Sequence, residues 1–161
     1  MATPRTTLLV STYNWPTALE LCLRSAFSQT QLPDEIVIAD DGSGQETRAL
    51  IDRLRQESPI PIHHVWHEDA GFRKTIILNK AIAQASGEYI LQVDGDVVLS
   101  PYFVADHLEL AEPNYFVCGS RVKLTPELTE AFQADPSKKI PWRRLPLTFM
   151  LNSFRSRFLR H

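Results

Sequence analysis

Long apolar runs are absent from this sequence of 161 residues. No stretch approaches the roughly 18 to 20 apolar residues of a membrane-spanning helix, and residues 1–6 hold no apolar run like that of a signal peptide. We therefore expect a cytoplasmic location. Hydrophobic residues still make up 43% of the chain, which is enough to build the buried core of one compact domain.

Cysteine is scarce, and internal repeats and low-complexity segments are missing. The two cysteines, Cys22 and Cys118, lie far apart in the sequence and lack the spacing of a metal-binding motif. Cys22 falls on the apolar face of a predicted helix, and Cys118 falls in a predicted strand. Both are therefore expected to be buried thiols of a protein in a reducing compartment.

Acidic residues are absent after Asp135, although the whole chain carries a formal net charge of -2. Residues 138–161 contain seven Lys or Arg, whereas the rest of the chain contains ten against nineteen Asp or Glu. This balance argues against a nucleic-acid partner for the chain as a whole. It also divides the sequence into a predicted domain, residues 1–135, and a basic tail, residues 136–161.

The sequence does contain a regular alternation of short apolar runs and segments with helical spacing. It predicts strands over residues 7–11, 36–39, 62–66, 89–93 and 115–120, and helices over residues 16–27, 43–57, 73–86, 100–111 and 125–134. Ser43 and Glu46 form a capping-box pattern, and Gly87 is placed to end the third helix. The alternation implies an α/β fold with a mostly parallel sheet and helices on both faces.

Ligands of such sheets bind at the carboxyl ends of the strands, where residues 11–15, 40–44 and 94–98 are expected. Asp94 and Asp96 flank a glycine in the last of these loops. Two carboxylates at this spacing can approach one Mg²⁺ or Mn²⁺, which can then bridge to phosphates. An ordinary acidic turn is the alternative explanation.

The other two loops contain groups that suit a planar base. Tyr13 could stack on the base, with Ser11 or Asn14 hydrogen-bonding nearby, and a carboxylate of Asp40-Asp41 could accept a hydrogen bond from a base N–H. The alternatives are a polar loop after the first strand and simple helix capping by Ser43 after the second.

Residues 67–74, which follow the third predicted strand, mix acidic and basic side chains. Arg73 and Lys74 lie near a helix N-terminus, where a bound anion would compensate their charge. For Lys74, a solvated loop is the preferred interpretation. His67, Glu68 and Asp69 are adjacent and point in different directions, so no metal cluster is expected from them.

Together these segments resemble family 2 glycosyltransferases over roughly residues 6–125. The His-Glu-Asp-x-Gly-Phe-Arg variant at residues 67–73 is similar to the subgroup of bacterial chondroitin-polymerase-like and galactosyltransferase-like enzymes. The motifs occur in the family's order, as Val10-Ser11-Thr12-Tyr13-Asn14-Trp15-Pro16, Gln29 with Leu32 to Ser43, Gly71-Phe72-Arg73 to Ile90, and Asp94-Gly95-Asp96.

The resemblance implies a GT-A fold, a Rossmann-like sheet, and inverting, metal-assisted transfer from a UDP-sugar to a glycan or lipid-linked acceptor. By position, it implies that Ser11, Tyr13 and Asp41 hold the base and that Arg73 lies near the nucleotide or its phosphates. It also implies that Asp94 and Asp96 serve the ribose, the diphosphate and a Mn²⁺ or Mg²⁺ ion, with Asp96 as the preferred direct ligand.

One part of the family pattern has no counterpart. In this subgroup a later segment, rich in Gly and Trp with paired Glu-Asp, supplies the acceptor wall and the catalytic base. The acceptor-side part is therefore expected to be missing here and the base is unknown, with Asp106, His107 and Glu109 as candidate substitutes. A non-catalytic nucleotide-sugar-binding fragment or scaffold is the main alternative. A nucleotidyltransferase is less favoured, because residues 11–16 lack a Gly-rich, basic phosphate loop.

The tail from Trp142 to His161 combines five arginines with an apolar stripe at helical spacing. A basic amphipathic segment of this kind can lie in an anionic membrane surface, which would give peripheral contact at the inner face of the membrane, although packing of the stripe is the slightly preferred interpretation. Alternatively, the stripe packs against the absent acceptor-side segment. The stripe consists of Leu147, Met150, Leu151, Phe154 and Phe158.

Overall fold

The computed structural model describes residues 3–119, 121 and 123–135, so the tail and its predicted stripe lie outside the described part. Its strands are β1 (Thr6–Thr12), β2 (Glu35–Asp40), β3 (Ile62–Trp66) and β4 (Tyr89–Asp94). They pair in parallel in the order β3-β2-β1-β4. The helices are α1 (Pro16–Phe27), α2 (Gln45–Glu57), α3 (Lys74–Gln84), α4 (Phe103–Glu109) and α5 (Pro126–Ala134). The predicted α/β fold with a parallel sheet is confirmed.

The two central strands are buried along their whole length because both faces of the sheet are covered. Their side chains alternate between two apolar clusters. Leu8 and Val10 pack with α1, α2 and α4 on one face, whereas Leu9 packs with Ile77 and Ala81 of α3 on the other. Helices on both faces are therefore confirmed as well.

Local helix-start signals predict α1 and α5 correctly. Pro16 and Pro126 each stand in the first turn, where a missing backbone N–H costs nothing. Thr125 also caps α5, since its hydroxyl oxygen accepts a hydrogen bond from the backbone N–H of Leu128 at 3.4 Å.

The predicted capping box at the start of α2 is wrong. The helix is preceded by Gly44, and no side chain caps it. The Ser43 hydroxyl oxygen instead accepts a hydrogen bond from the backbone N–H of Asn14 at 2.9 Å. Ser43 thus ties the loop after β2 to the loop after β1, a use that the local pattern cannot show.

Gly87 does not end α3, which stops at Gln84. It lies where the chain passes the start of β1, and its backbone N–H donates to Thr7 Oγ1 at 3.0 Å. A Cβ atom at this position would lie 2.5 Å from Thr7 Oγ1 and 2.6 Å from the Thr7 nitrogen. Glycine is needed here because of this close approach.

The predicted fifth strand is wrong within the described residues 115–119, which form no strand. Tyr115 and Phe116 are 74% and 86% exposed, and Cys118 is exposed instead of buried. Aromatic and β-branched composition favours a strand only where a partner strand supplies the backbone hydrogen bonds. Cys22 is buried, as predicted.

Two further outcomes concern helices. The fourth helix is shorter than predicted, because residues 101–102 form a turn before Phe103. No helix in the described part of the chain is long and apolar enough to cross a membrane.

Candidate functional site

The carboxyl ends of β1, β2 and β4 border an open pocket of about 270 Å³. The parallel register creates it, because Ser11 lies opposite Asp94 and Thr12 lies opposite Asp40. Three loops distant in sequence therefore meet at one edge of the sheet. Of the residues predicted for the site, Ser11, Tyr13, Asp41, Asp94 and Asp96 all line this pocket.

One end of the pocket is the acidic turn after β4. The backbone N–H of Gly95 donates to the Ser11 carbonyl oxygen at 2.7 Å, which fixes the turn to the end of β1. Asp94 Oδ1 accepts a hydrogen bond from Ser11 Oγ at 2.8 Å and forms an ion pair with Lys74 Nζ. Asp96 is exposed beside it. The predicted solvated position of Lys74 is wrong, since its ammonium group reaches into the site.

These contacts determine the charge of the acidic turn. The hydrogen bond from Lys74 lowers the pKa of Asp94 below its usual value, and its partial burial only partly opposes this effect. Asp94 is therefore a carboxylate at neutral pH. Burial, helped by the negative charges of Asp96 and Asp94, raises the pKa of the underlying Cys22 thiol to about 12. That thiol stays protonated and is a packing group.

The other end of the pocket contains Asp41, which is 5% exposed. Its Oδ1 pairs with His67 Nε2 at 2.7 Å, and its Oδ2 accepts a hydrogen bond from the backbone N–H of Arg73 at 2.9 Å. Both carboxylate oxygens are thus held by the loop between β3 and α3.

Tyr13 lies at the same end, with its ring half exposed. Its hydroxyl donates to Asp69 Oδ2 at 2.9 Å, and this bond raises the pKa of Tyr13. Asp69 in turn packs on the turn after β2. Gly42 there has a φ of +98°, and a Cβ atom would lie 2.7 Å from Asp69 Cα. The loop of residues 67–73 therefore supports both Asp41 and Tyr13.

Sequence reasoning missed the roles of His67 and Asp69. The usable signal was their place after β3, because the carboxyl ends of neighbouring parallel strands share one edge of the sheet. Arg73 was predicted to lie near the nucleotide. It does not line the pocket, and its guanidinium group donates to the carbonyl oxygen of Glu68.

The candidate substitutes for the catalytic base belong to α4. Neither Asp106, His107 nor Glu109 is among the residues that line the pocket. The His107 ring lies against Phe103, with ring centroids 4.6 Å apart, and burial lowers its pKa. The described part of α4 thus places none of the three in the site.

The acidic turn offers only part of the coordination shell of a hard cation. Within the described residues, no group of three or more His, Cys, Asp or Glu side chains could hold a metal ion. Asp94 and Asp96 nevertheless supply two carboxylates beside an open pocket. Mg²⁺ and similar ions commonly take one or two carboxylates and complete their shell with phosphate oxygens and water, so the residues present fit such an ion.

Comparison with known proteins reveals relatives of this architecture. Residues 7–160 match the family model described as Glycosyl transferase family 2. The chain is 30% identical over 121 residues to the putative glycosyltransferase EpsH of Bacillus subtilis (strain 168), which covers 73% of this chain and 34% of EpsH. It is 26% identical to the chondroitin synthase of Escherichia coli, over 71% of this chain and 17% of the synthase.

Solved structures share the fold. The mannosyltransferase PcManGT from Pyrobaculum calidifontis, in complex with GDP-Man and Mn²⁺, is similar with a TM-score of 0.64 and 27% identity over 75% of this chain and 37% of that one. S. aureus TarS in complex with UDP-GlcNAc has the same fold, with a TM-score of 0.55 and 22% identity over 72% of this chain and 37% of that one. The chain spans at most about a third of the curated relatives named above. With its match to the family model over nearly all residues, the chain belongs to glycosyl transferase family 2.

Proposed function

We propose that this chain is the donor-binding part of an inverting glycosyltransferase that uses a UDP-sugar and a divalent metal ion. The observation that carries the proposal is the pocket itself, in which Tyr13 and Asp41 lie at one end and Asp94 and Asp96 at the other. A nucleoside diphosphate has a planar base at one end and a charged diphosphate at the other. The nucleotide-sugar complexes of PcManGT and TarS support this kind of ligand.

The base end offers a stacking surface and an acceptor. The half-exposed ring of Tyr13 can cover one face of the base. Asp41 lines the pocket and can accept a hydrogen bond from a base N–H. Uracil presents a single ring N–H between two carbonyl groups. Adenine has no ring N–H on its pairing edge, and the family resemblance implies a UDP-sugar, so we propose uracil as the preferred base.

The diphosphate end offers positive and negative groups in a fixed arrangement. A divalent cation bound by Asp96 and Asp94 would neutralise charge on the departing diphosphate. Ser11 holds Asp94 in place, and Lys74 brings a positive charge into the same pocket. When a donor binds, Lys74 can shift from Asp94 to a phosphate oxygen, since both are anionic oxygen acceptors.

In the proposed reaction, an acceptor hydroxyl oxygen attacks the anomeric carbon from the side opposite the diphosphate. The new carbon–oxygen bond forms as the bond to the diphosphate oxygen breaks, and a base receives the hydroxyl proton. The acceptor is proposed to be a glycan or a lipid-linked acceptor. Peripheral membrane contact through residues 142–161 stays a prediction, because those residues lie outside the described part.

Isothermal titration calorimetry with Mn²⁺ present tests the donor assignment. We expect UDP to bind more tightly than GDP or ADP, because the family resemblance implies a uracil base and its ring N–H can donate to Asp41. Equal affinities for the three nucleotides would remove the proposed base recognition. Binding that does not depend on Mn²⁺ would remove the proposed metal.

A further inference from the structure

We infer that His67 is a positioning residue for base recognition, which holds the Asp41 carboxylate through a hydrogen bond donated from Nε2 to Oδ1. The inference deepens the proposed function and rests on it, because it assumes that Asp41 contacts the base. Asp41 lines the pocket and His67 does not. His67 would therefore act on nucleotide binding through its hydrogen bond to Asp41 and not by contact with the nucleotide.

The geometry leaves Asp41 little freedom. Asp41 and His67 are both more than nine-tenths buried, and their contact is 2.7 Å long. The second carboxylate oxygen is held by the backbone N–H of Arg73 at 2.9 Å. Rotation of the carboxylate would break at least one of these bonds at a side chain that is almost completely buried, which is costly.

The surroundings of His67 also indicate which of its ring nitrogens donates. Its Nδ1 atom is buried and has no hydrogen-bond partner among the described residues. A hydrogen on Nδ1 would be an N–H group without an acceptor, and burying such a donor is expensive. The neutral tautomer with its hydrogen on Nε2 leaves only a lone pair at Nδ1. The network thus assigns Nε2 as the ring nitrogen that donates to Asp41.

This arrangement makes Asp41 an acceptor only. Each carboxylate oxygen already receives one hydrogen bond from the protein and keeps a second lone pair. The N3–H of uracil can donate to such a lone pair. Cytosine has the same ring size and shape but presents a lone pair at N3, which the carboxylate repels. The ratio of UDP to CDP affinity is therefore sensitive to how well Asp41 is positioned toward N3 of the base.

A second histidine pair provides a matched control within the same sheet. His64 Nε2 contacts Asp40 Oδ2 at 2.8 Å, and Asp40 Oδ1 accepts a hydrogen bond from the backbone N–H of Ser43 at 2.8 Å. Asp40 is completely buried, and neither residue of this pair lines the pocket. Loss of this pair weakens the fold without touching the base-binding carboxylate.

The test compares His67→Gln with His67→Asn by calorimetry with UDP and with CDP, in the presence of Mn²⁺. The longer Gln side chain places its amide N–H near the position of Nε2, whereas the Asn amide reaches only the position of Nδ1. We expect His67→Gln to keep the preference of the parent for UDP. In His67→Asn, the ratio of UDP to CDP affinity should fall about tenfold, which is the effect expected when a hydrogen bond to a charged group is lost.

Three comparisons separate the outcomes. His64→Asn should lower the melting temperature yet keep the UDP to CDP ratio, which distinguishes positioning from general destabilisation. If His67→Asn keeps the parental ratio while Asp41→Asn loses it, the role of His67 is refuted and the proposed base contact stands. If the parent binds UDP and CDP equally, the proposed base contact fails and the inference fails with it.

Discussion

At the scale of single residues, the two carboxylates of the acidic turn differ in their surroundings. Asp94 is anchored by Ser11 and Lys74, whereas Asp96 is exposed and lines the pocket. An anchored carboxylate has less freedom to adjust to an arriving ion. Asp96 is therefore the better candidate for the direct metal contact.

Replacement of Asp96 tests this difference. Asp96→Ala should abolish Mn²⁺-dependent UDP binding and leave thermal unfolding nearly unchanged, because an exposed carboxylate is lost and no core contact is broken. Calorimetry and a melting curve measure the two effects. Glu88→Ala is the matched control, since it removes an exposed acid just before the opposite end of β4. UDP and Mn²⁺ binding by Asp96→Ala at the parental level would show that the metal assignment is wrong.

At the scale of elements, the site depends on the loops between strands and helices, because two of these loops pack closely against neighbouring parts of the sheet. The loop of residues 67–73 packs on Gly42 and supports the base end of the pocket. At the other end of the sheet, the connection from α3 to β4 passes β1 at Gly87. The pairing of β4 with β1, which places Asp94 beside Ser11, starts at this crossing.

Gly87→Ala tests the importance of this crossing. The new methyl group would overlap Thr7, so we expect the free energy of unfolding to fall by about 1–3 kcal/mol, the range for overpacked sites. Urea denaturation measures the change. In Gly44→Ala, by contrast, the nearest atom to the new methyl group is 3.8 Å away, and we expect a much smaller loss. Equal stability of the two variants would contradict the close-packing argument.

At the scale of the whole molecule, the described pocket contains groups that suit a nucleotide-sugar donor, but its lining offers no candidate for the catalytic base. Its lining contains no His or Glu, and its three carboxylates, Asp41, Asp94 and Asp96, have proposed roles toward the base and the metal. The chain also spans only part of its relatives. The base and the acceptor wall are thus proposed to come from outside the described residues.

We therefore expect the 161-residue chain to bind a UDP-sugar and to transfer the sugar poorly, since loss of a general base typically costs about 10²- to 10⁴-fold in rate. An assay of UDP release with and without an acceptor measures this, beside any longer natural form. Fast transfer by this chain would show that an internal base exists. Donor binding without turnover by a longer form would favour the scaffold alternative.

Much of this protein follows from the sequence because the signals are local. Apolar runs, prolines at helix starts and the order of elements predicted β1 to β4 and the helices on both faces of the sheet. The family resemblance indicated a set of site residues that do share one pocket, namely Ser11, Tyr13, Asp41, Asp94 and Asp96. Strand ends predicted the edge of the sheet at which that pocket lies.

Other features were decided only by the tertiary structure, because they depend on distances between segments far apart in the chain. The pairing of His67 with Asp41, the reach of Lys74 to Asp94 and the contact of Gly87 with Thr7 each join separate loops or strands. The prediction of a fifth strand was wrong for the same reason. Its residues had suitable composition, but a strand forms only where a neighbouring edge accepts its backbone hydrogen bonds.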